Sequence, residues 1–317
     1  LRDLQWWTHW DDWARSRAIW GPPTTQEMHC DASGPAWGGL LNRSVPARGF
    51  FRPHQLHHHI SWKELKAVHF SVESFLSVLA GQQVLLWEDN TAVVAALTTM
   101  VSRTPHIMRA LRELQRLLAM HNIVLRARYI ASADNPADYW SRLRDPSDWQ
   151  LHPSLFREAC ARWGAVPTID RFATANNAQV PRYNSSFADP GCEAIDARTQ
   201  SWAGELNWLN PPWELLAWVL FKLSQEPTAG AYLVAPYWPT APWWPAFLEL
   251  AADWYLVPAD PALFLPGYLG SCEPRGNPRW RVLLAYIPPR CRKTPLPPSL
   301  RASLARLTRS LSRHVSC

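Results

Sequence analysis

From Thr24 onward, short apolar runs of strand length alternate with helical patterns. A polar, proline-containing joint, RLRDPSDWQLHPSLF (142–156), divides the alternation into two runs. A chain written this way is confined to layered α/β architecture, because each strand and each helix has one apolar side that another layer must cover. In the first run, QEMHCDAS and AWGGLLN read as strands joined by a turn at Ser33-Gly34-Pro35, and GFFRPH as a third strand. Ser61 and Glu64 have the spacing of a helix capping box, ahead of a helix that stops at Gly81. QQVLLWEDN is a strand ending in acids, RTPHIMRALRELQRLLAMH an amphipathic helix, and IVLRARYI a strand. The second run contains VPTIDRFA, GELNWLNPPWELLAWVLFKL, AGAYLVAPYWP and RWRVLLAYI, and predicts a second α/β unit.

Length and composition set the limits. A chain of 317 residues has room for about two domains. With 47% hydrophobic residues it can build real cores. The net charge of +6 permits a polyanionic partner without requiring one. The six cysteines show no CxxC and no framework spacing, which favours a reduced intracellular compartment, cytoplasm or nucleus. No apolar run is long enough for a membrane span, so no membrane partner is expected. Residues 1–23 are Trp-rich, close on Gly21-Pro22-Pro23, and read as a connection from an upstream region. Their Asp11-Asp12 pair reads as a solvated helix start. Residues 290–317 hold seven Arg or Lys and no acid, and read as a basic tail able to bind nucleic acid.

Three acids of the first run stand at element ends, in the order strand, helix, strand: Asp31, Glu64 and Asp89. A fourth follows the last strand, in ADNPADYWSR (133–142), where both Asp134 and Asp138 are available. Cleaving a phosphodiester by two-metal catalysis requires two hard cations about 3.5–4 Å apart, held by oxygens. Without cations, four converging carboxylates repel one another, so such a cluster has little purpose as plain structure. Glu88 is a rival to Asp89, but strand alternation predicts that the two point in opposite directions. The run His57-His58-His59 reads as an exposed loop, since three adjacent side chains cannot all converge on one ion.

The motifs CDASGPAWGG, HISWKELKAV, WEDNTAVVAAL and ASADNPADYWSR, in this order, resemble the ribonuclease H domain of retroelement reverse transcriptases, with the nearest likeness to DIRS-type retrotransposons. The resemblance covers about residues 24–142. It implies a ribonuclease H-like mixed sheet with flanking helices, and an endonuclease that hydrolyses the RNA strand of RNA–DNA hybrids. The cofactors implied are two Mg²⁺ or Mn²⁺ ions, and the upstream partner a polymerase region of the same polyprotein. In that family the last acid lies in a pattern Asn-x-x-Ala-Asp-x-x-Ser-Arg, here Asn135, Ala137, Asp138, Ser141 and Arg142. The resemblance therefore assigns Asp31, Glu64, Asp89 and Asp138 as catalytic metal ligands and leaves Asp134 a turn residue. Ser61-Trp62 departs from the asparagine usual near Glu64.

In the second run, Asn210-Pro211-Pro212-Trp213 follows an apolar segment and precedes a helix. Two prolines remove two donors and stiffen the turn, leaving carbonyls, an amide and a ring at one point. This motif, with TIDRFATANNAQVPRYNS upstream, resembles amino-group DNA methyltransferases over about residues 160–289. The resemblance implies a Rossmann-like domain after a linker at 143–159. Asp170, Phe172 and Asp196 would line an S-adenosylmethionine pocket, Asn210 would hold the target amino group, and Trp213 would stack on a flipped adenine. The turn after the first strand reads Arg171-Phe172-Ala173-Thr174, without the usual glycine, so cofactor binding is expected to be weak or absent. Binding of unpaired adenine in single-stranded DNA through Trp213 is expected to outlast catalysis.

Overall fold

A computed structural model of the protein describes residues 24–143, 149–258, 260, 262–266 and 280–290. The expected upstream connection (1–23), with Asp11 and Asp12, lies outside the described residues, as does the basic tail beyond Arg290. The first half holds β1 (Thr24–Ala32), β2 (Ala36–Leu41), β3 (Val45–Phe50), β4 (Gln83–Glu88) and β5 (Val124–Tyr129). Its helices are α1 (Ile60–Ser74), α2 (Leu76–Leu79), α3 (Thr91–Thr99), α4 (Pro105–Met120) and α5 (Ala137–Arg142). The strands form one mixed sheet in the order β3-β2-β1-β4-β5. β1 runs antiparallel to β2 and β2 to β3, whereas β1, β4 and β5 are parallel. The parallel strands are joined by helical crossovers, which is the only short way to connect them.

Local chemistry fixes the hairpin. Asn42 and Arg43 have φ of 49° and 55°, a left-handed pair whose twist suits a tight strand connection. The Asn42 side chain secures it by accepting the Glu27 N–H at 2.9 Å. The third strand therefore starts at Val45, not Gly49, and Arg52-Pro53 leaves the sheet in a short 3-10 turn. The N-cap of α1 is His59, whose Nδ1 accepts the Ser61 N–H at 3.2 Å. The expected Ser61–Glu64 capping box is thus not formed, and Glu64 is free for another role. Trp62, Leu65, Val68 and Val72 of α1 join Met28, Leu86, Leu111 and Leu114 in the core.

The second half holds β6 (Trp149–Leu151), α6 (Pro153–Trp163), β7 (Ile169–Asp170), β8 (Asn184–Ser185), β9 (Ala194–Ile195) and β10 (Leu206–Leu209). There follow α7 (Leu216–Gln225), β11 (Gly230–Pro236), α8 (Trp244–Leu250), β12 (Asp253–Leu256), β13 (Phe264–Pro266) and β14 (Val282–Ile287). A five-stranded sheet runs β12-β14-β11-β10-β7, with β7, β10 and β11 parallel and β14 antiparallel to both neighbours. β11 is buried along its whole length. Ala231, Leu233 and Ala235 face a core with Leu216, Leu220 and Phe247, whereas Tyr232 and Val234 face another with Phe156 and Leu284. Such two-sided burial explains its unbroken apolar run. Much of the expected linker belongs to this half: β6 pairs with β13, and Leu151, Phe156 and Ala159 enter its core.

The two halves meet at the free edge of β3. Ala47 bridges Ala188 in parallel, with Arg48 N–H donating to Ala188 O and Ala188 N–H to Pro46 O, each at 3.2 Å. The Arg48 guanidinium donates to Leu143 O at 2.6 Å and lies over the Phe50 and Phe187 rings.

Candidate active site

β1 and β4 lie side by side and parallel, so their carboxyl ends open at the same edge of the sheet. Asp31 sits near the end of β1, and Asp89 follows β4 directly. Glu64 reaches the same point from the first turns of α1. One carboxylate oxygen of each of Asp31, Glu64 and Asp89 lies within 4.8 Å of the others. Asp31 and Glu64 are 3% and 4% exposed, which is deep burial for acids.

Burial pushes the Asp31 carboxyl up to about 6, helped by the charges of Asp89 and Asp138 and opposed by a hydrogen bond from Ser141. Glu64 is pushed far above the ordinary carboxylate range, first by burial and then by Glu88, Asp31 and Asp89. Its Oε2 has no hydrogen-bond partner among the described residues. A buried acid with one unpartnered oxygen among other acids is a costly arrangement unless a cation completes it. The donors are all hard oxygens, which suits Mg²⁺ or Mn²⁺.

Asp138 lies outside this three-acid group. It occupies the first turn of α5, and its carboxylate accepts from Arg142 at 2.7 Å. Its charge still acts on Asp31. Asp134 is exposed in a 3-10 turn. Glu88 is not one of the three convergent acids, as expected of a neighbour of Asp89 on the strand. It is fully buried, accepts the Asn90 N–H at 3.3 Å, and is the strongest charge acting on Glu64.

Three further residues hold the site together. The Asn135 amide donates to Cys30 O at 2.8 Å and its Oδ1 accepts the Ala137 N–H at 3.1 Å, so it ties the start of α5 to β1. The Ser141 hydroxyl donates to the Asp31 carboxylate in a short hydrogen bond, while Ser33 Oγ donates to Ser141 O at 2.7 Å. Lys63, also buried, donates to Gly34 O at 2.6 Å and fixes the turn after Asp31. Asn135 and Ser141 were visible as motif letters, but their partners lie more than a hundred residues upstream, where spacing carries no signal.

In the second half, Phe172, Asp196, Asn210 and Pro212 line one cavity of ≈ 270 Å³, together with Arg48, Phe50 and Phe187 from the seam. Asp170 does not line it. Its carboxylate turns inward to accept the Phe172 and Gln179 N–H groups at 3.3 and 3.1 Å. Asp196 is engaged by Arg198, with contacts of 2.9 to 3.2 Å. The Asn210 amide donates to Trp149 O at 2.8 Å. Pro211 is buried, and Trp213 packs edge-on against Trp238, Phe264 and Trp280.

No protein-family model matches the sequence, and no curated protein matches it either. Among solved structures, the chain is similar to the LC11 ribonuclease H1 in complex with an RNA/DNA hybrid, at 11% identity and a TM-score of 0.32, over 37% of this chain and 93% of that one. It is also similar to the ribonuclease H1 of the halophilic archaeon Halobacterium salinarum, at 18% identity and 0.31, over 36% and 92%. A third is the N-terminal ribonuclease H domain of a Mycobacterium tuberculosis protein, at 13% identity and 0.31, over 44% and 98%. No described helix is long and apolar enough to cross a membrane.

Proposed function

We propose that the chain is a divalent-metal-dependent endonuclease that hydrolyses the RNA strand of RNA–DNA hybrids, as the ribonuclease H part of a retroelement reverse transcriptase. The observation that carries this reading is the convergence of Asp31, Glu64 and Asp89 within 4.8 Å at the carboxyl ends of two parallel strands. The four ordered motifs supply the substrate class. Asp31, Glu64 and Asp89 would hold the cation, and Asp138, freed from Arg142, would join them for a second one. Bound cations supply charge neutralisation and Lewis acidity at the scissile phosphate. Ser141 holds the Asp31 carboxylate in one orientation, and Asn135 keeps α5 seated on β1. The test is cleavage of a labelled RNA–DNA hybrid with Mg²⁺, run beside single-stranded RNA. Cleavage of both strands' analogues alike, or none with either metal, would remove the reading.

A second reading concerns the other half. Phe172, Asp196, Asn210 and Pro212 share one cavity beyond the carboxyl ends of parallel β7 and β10, where open α/β sheets hold ligands. This supports a Rossmann-like, methyltransferase-like domain. The fit to S-adenosylmethionine is incomplete. Asp170 faces inward, Asp196 is engaged by Arg198, and Ala173 and Thr174 line the cavity where glycine is expected. No methyl-transfer step is derived. Calorimetry with S-adenosylmethionine should show binding weaker than micromolar, and Trp213→Ala should weaken single-stranded DNA binding.

A further inference from the structure

The segment between β3 and α1 is rich in histidine, and the nuclease reading leaves it unused. His57 and His58 rings are 4.3 Å apart, His58 stacks on Trp62 at 4.0 Å, and His106, from the first turn of α4, lies 6.0 Å from His58. His54, His57 and His106 are exposed and His58 is half-buried. No side chain of these four is hydrogen-bonded or ion-paired to a described residue. His59 differs, because its Nδ1 is occupied as the helix cap.

Charge is unbalanced here. Burial lowers the His58 titration, and the neighbours acting on it are His57, His106, His54 and Lys63, each a cation when protonated. The one acid of α4, Glu113, is paired with Lys66 at 3.1 Å. Glu64, on α1, is turned into the acid site. Among the described residues, the acid group is the cluster with metal-ligand geometry. The first turn of α1, which follows His57 and His58 in the chain, is tied to the loop that carries Asp89. Asn90, next to Asp89, donates to Ser61 Oγ at 3.4 Å on the first turn of α1. At the other end, Arg52 and His54 line a groove of ≈ 390 Å³ against Ala175 and Asn176 of the second half.

We propose that His54, His57, His58 and His106, with Arg52, form a docking rim for the phosphates of a nucleic-acid strand entering the acid site, and that its grip tightens as pH falls. The choice of polymer rests on the nuclease reading; the rim itself does not. A phosphate approaching a neutral imidazole favours its protonated form, which then serves as a counter-charge. Binding should therefore take up protons.

The experiment uses the full 317-residue chain, a labelled RNA–DNA hybrid and EDTA, so that binding is read without cleavage. Salt series at pH 6 and pH 8 should show affinity about tenfold lower at pH 8, with a shallower salt slope by roughly one to two. The pair His57→Gln and His106→Gln, both on exposed side chains, should lose this difference and the proton uptake. His57→Lys with His106→Lys should bind tightly at both pH values. An unchanged pH difference in the Gln pair would overturn the rim, whatever the cleavage result. Mg²⁺-dependent cleavage by the Gln pair at pH 8 keeps the nuclease reading separate. If that cleavage persists while the pH difference is also unchanged, only the rim fails. If the wild-type chain binds with the expected pH dependence but never cleaves, only the nuclease reading fails.

Discussion

Asp31 is the residue whose environment says most about the site. Its carboxyl is held up to about 6 by burial and by Asp89 and Asp138, against about 3.9 in an unfolded chain. The folded protein therefore keeps a proton that the unfolded chain has released across that interval. This contribution to metal-free stability is complete below about pH 4 and is lost as pH rises through 6. In EDTA at pH 7.5, Asp31→Asn should raise unfolding stability by roughly 1–3 kcal/mol, shrink to little effect near pH 4, and abolish cleavage throughout. Denaturant titrations at both pH values check the sign. Added Mg²⁺ should stabilise the wild type at pH 7.5 and not the variant. Ser141→Ala removes a donor to that carboxylate, which should lift its titration further and move the acid limb of the cleavage profile upward, at a stability cost of about 1–3 kcal/mol. Asp138→Asn should impair cleavage where exposed Asp134→Asn does not. The acids were legible in the sequence because each stands beside an element end with turn or cap residues following. Strand alternation set Glu88 aside, and it is Asp89 that stands in the convergent group.

At the scale of elements, the seat of α5 is the most exacting contact. Gly38 of β2 lies so close beneath it that a Cβ would meet Ser141 N at 2.5 Å and Trp140 C at 2.8 Å, both backbone atoms that cannot rotate away. Gly38→Ala should displace α5, carrying Asp138 and Ser141 from Asp31, and cost about 1–3 kcal/mol. Thermal melts and cleavage assays on the same preparation should show both losses together. This glycine could be read as a strand weakness from the sequence, but its partner is a helix of six residues encoded a hundred positions later. Helices α3 and α4 were legible, since Asn90 caps α3 and Pro105 opens α4. The hairpin was not, because Asn42-Arg43 lacks glycine and relies on the Asn42 side chain to hold its left-handed turn.

At the scale of the molecule, the polar joint at 142–156 marks a change of sheet but not a clean break. β6 and α6 within it are built into the second half, and Arg48 reaches across to Leu143 O. What composition could not show is that β3, an edge strand in its own sheet, receives main-chain bonds from Ala188. A sheet edge left open is an invitation to other chains, and proteins commonly blunt it with charge, proline or a cover. Here Pro46 removes one donor and the second half supplies the cover. A chain ending at Leu143 would contain every acid of the site and yet bare that edge. Light scattering should find it self-associating at concentrations where the whole chain stays dispersed. That result would make the second half a guard against aggregation for the first, a service that needs no catalysis of its own.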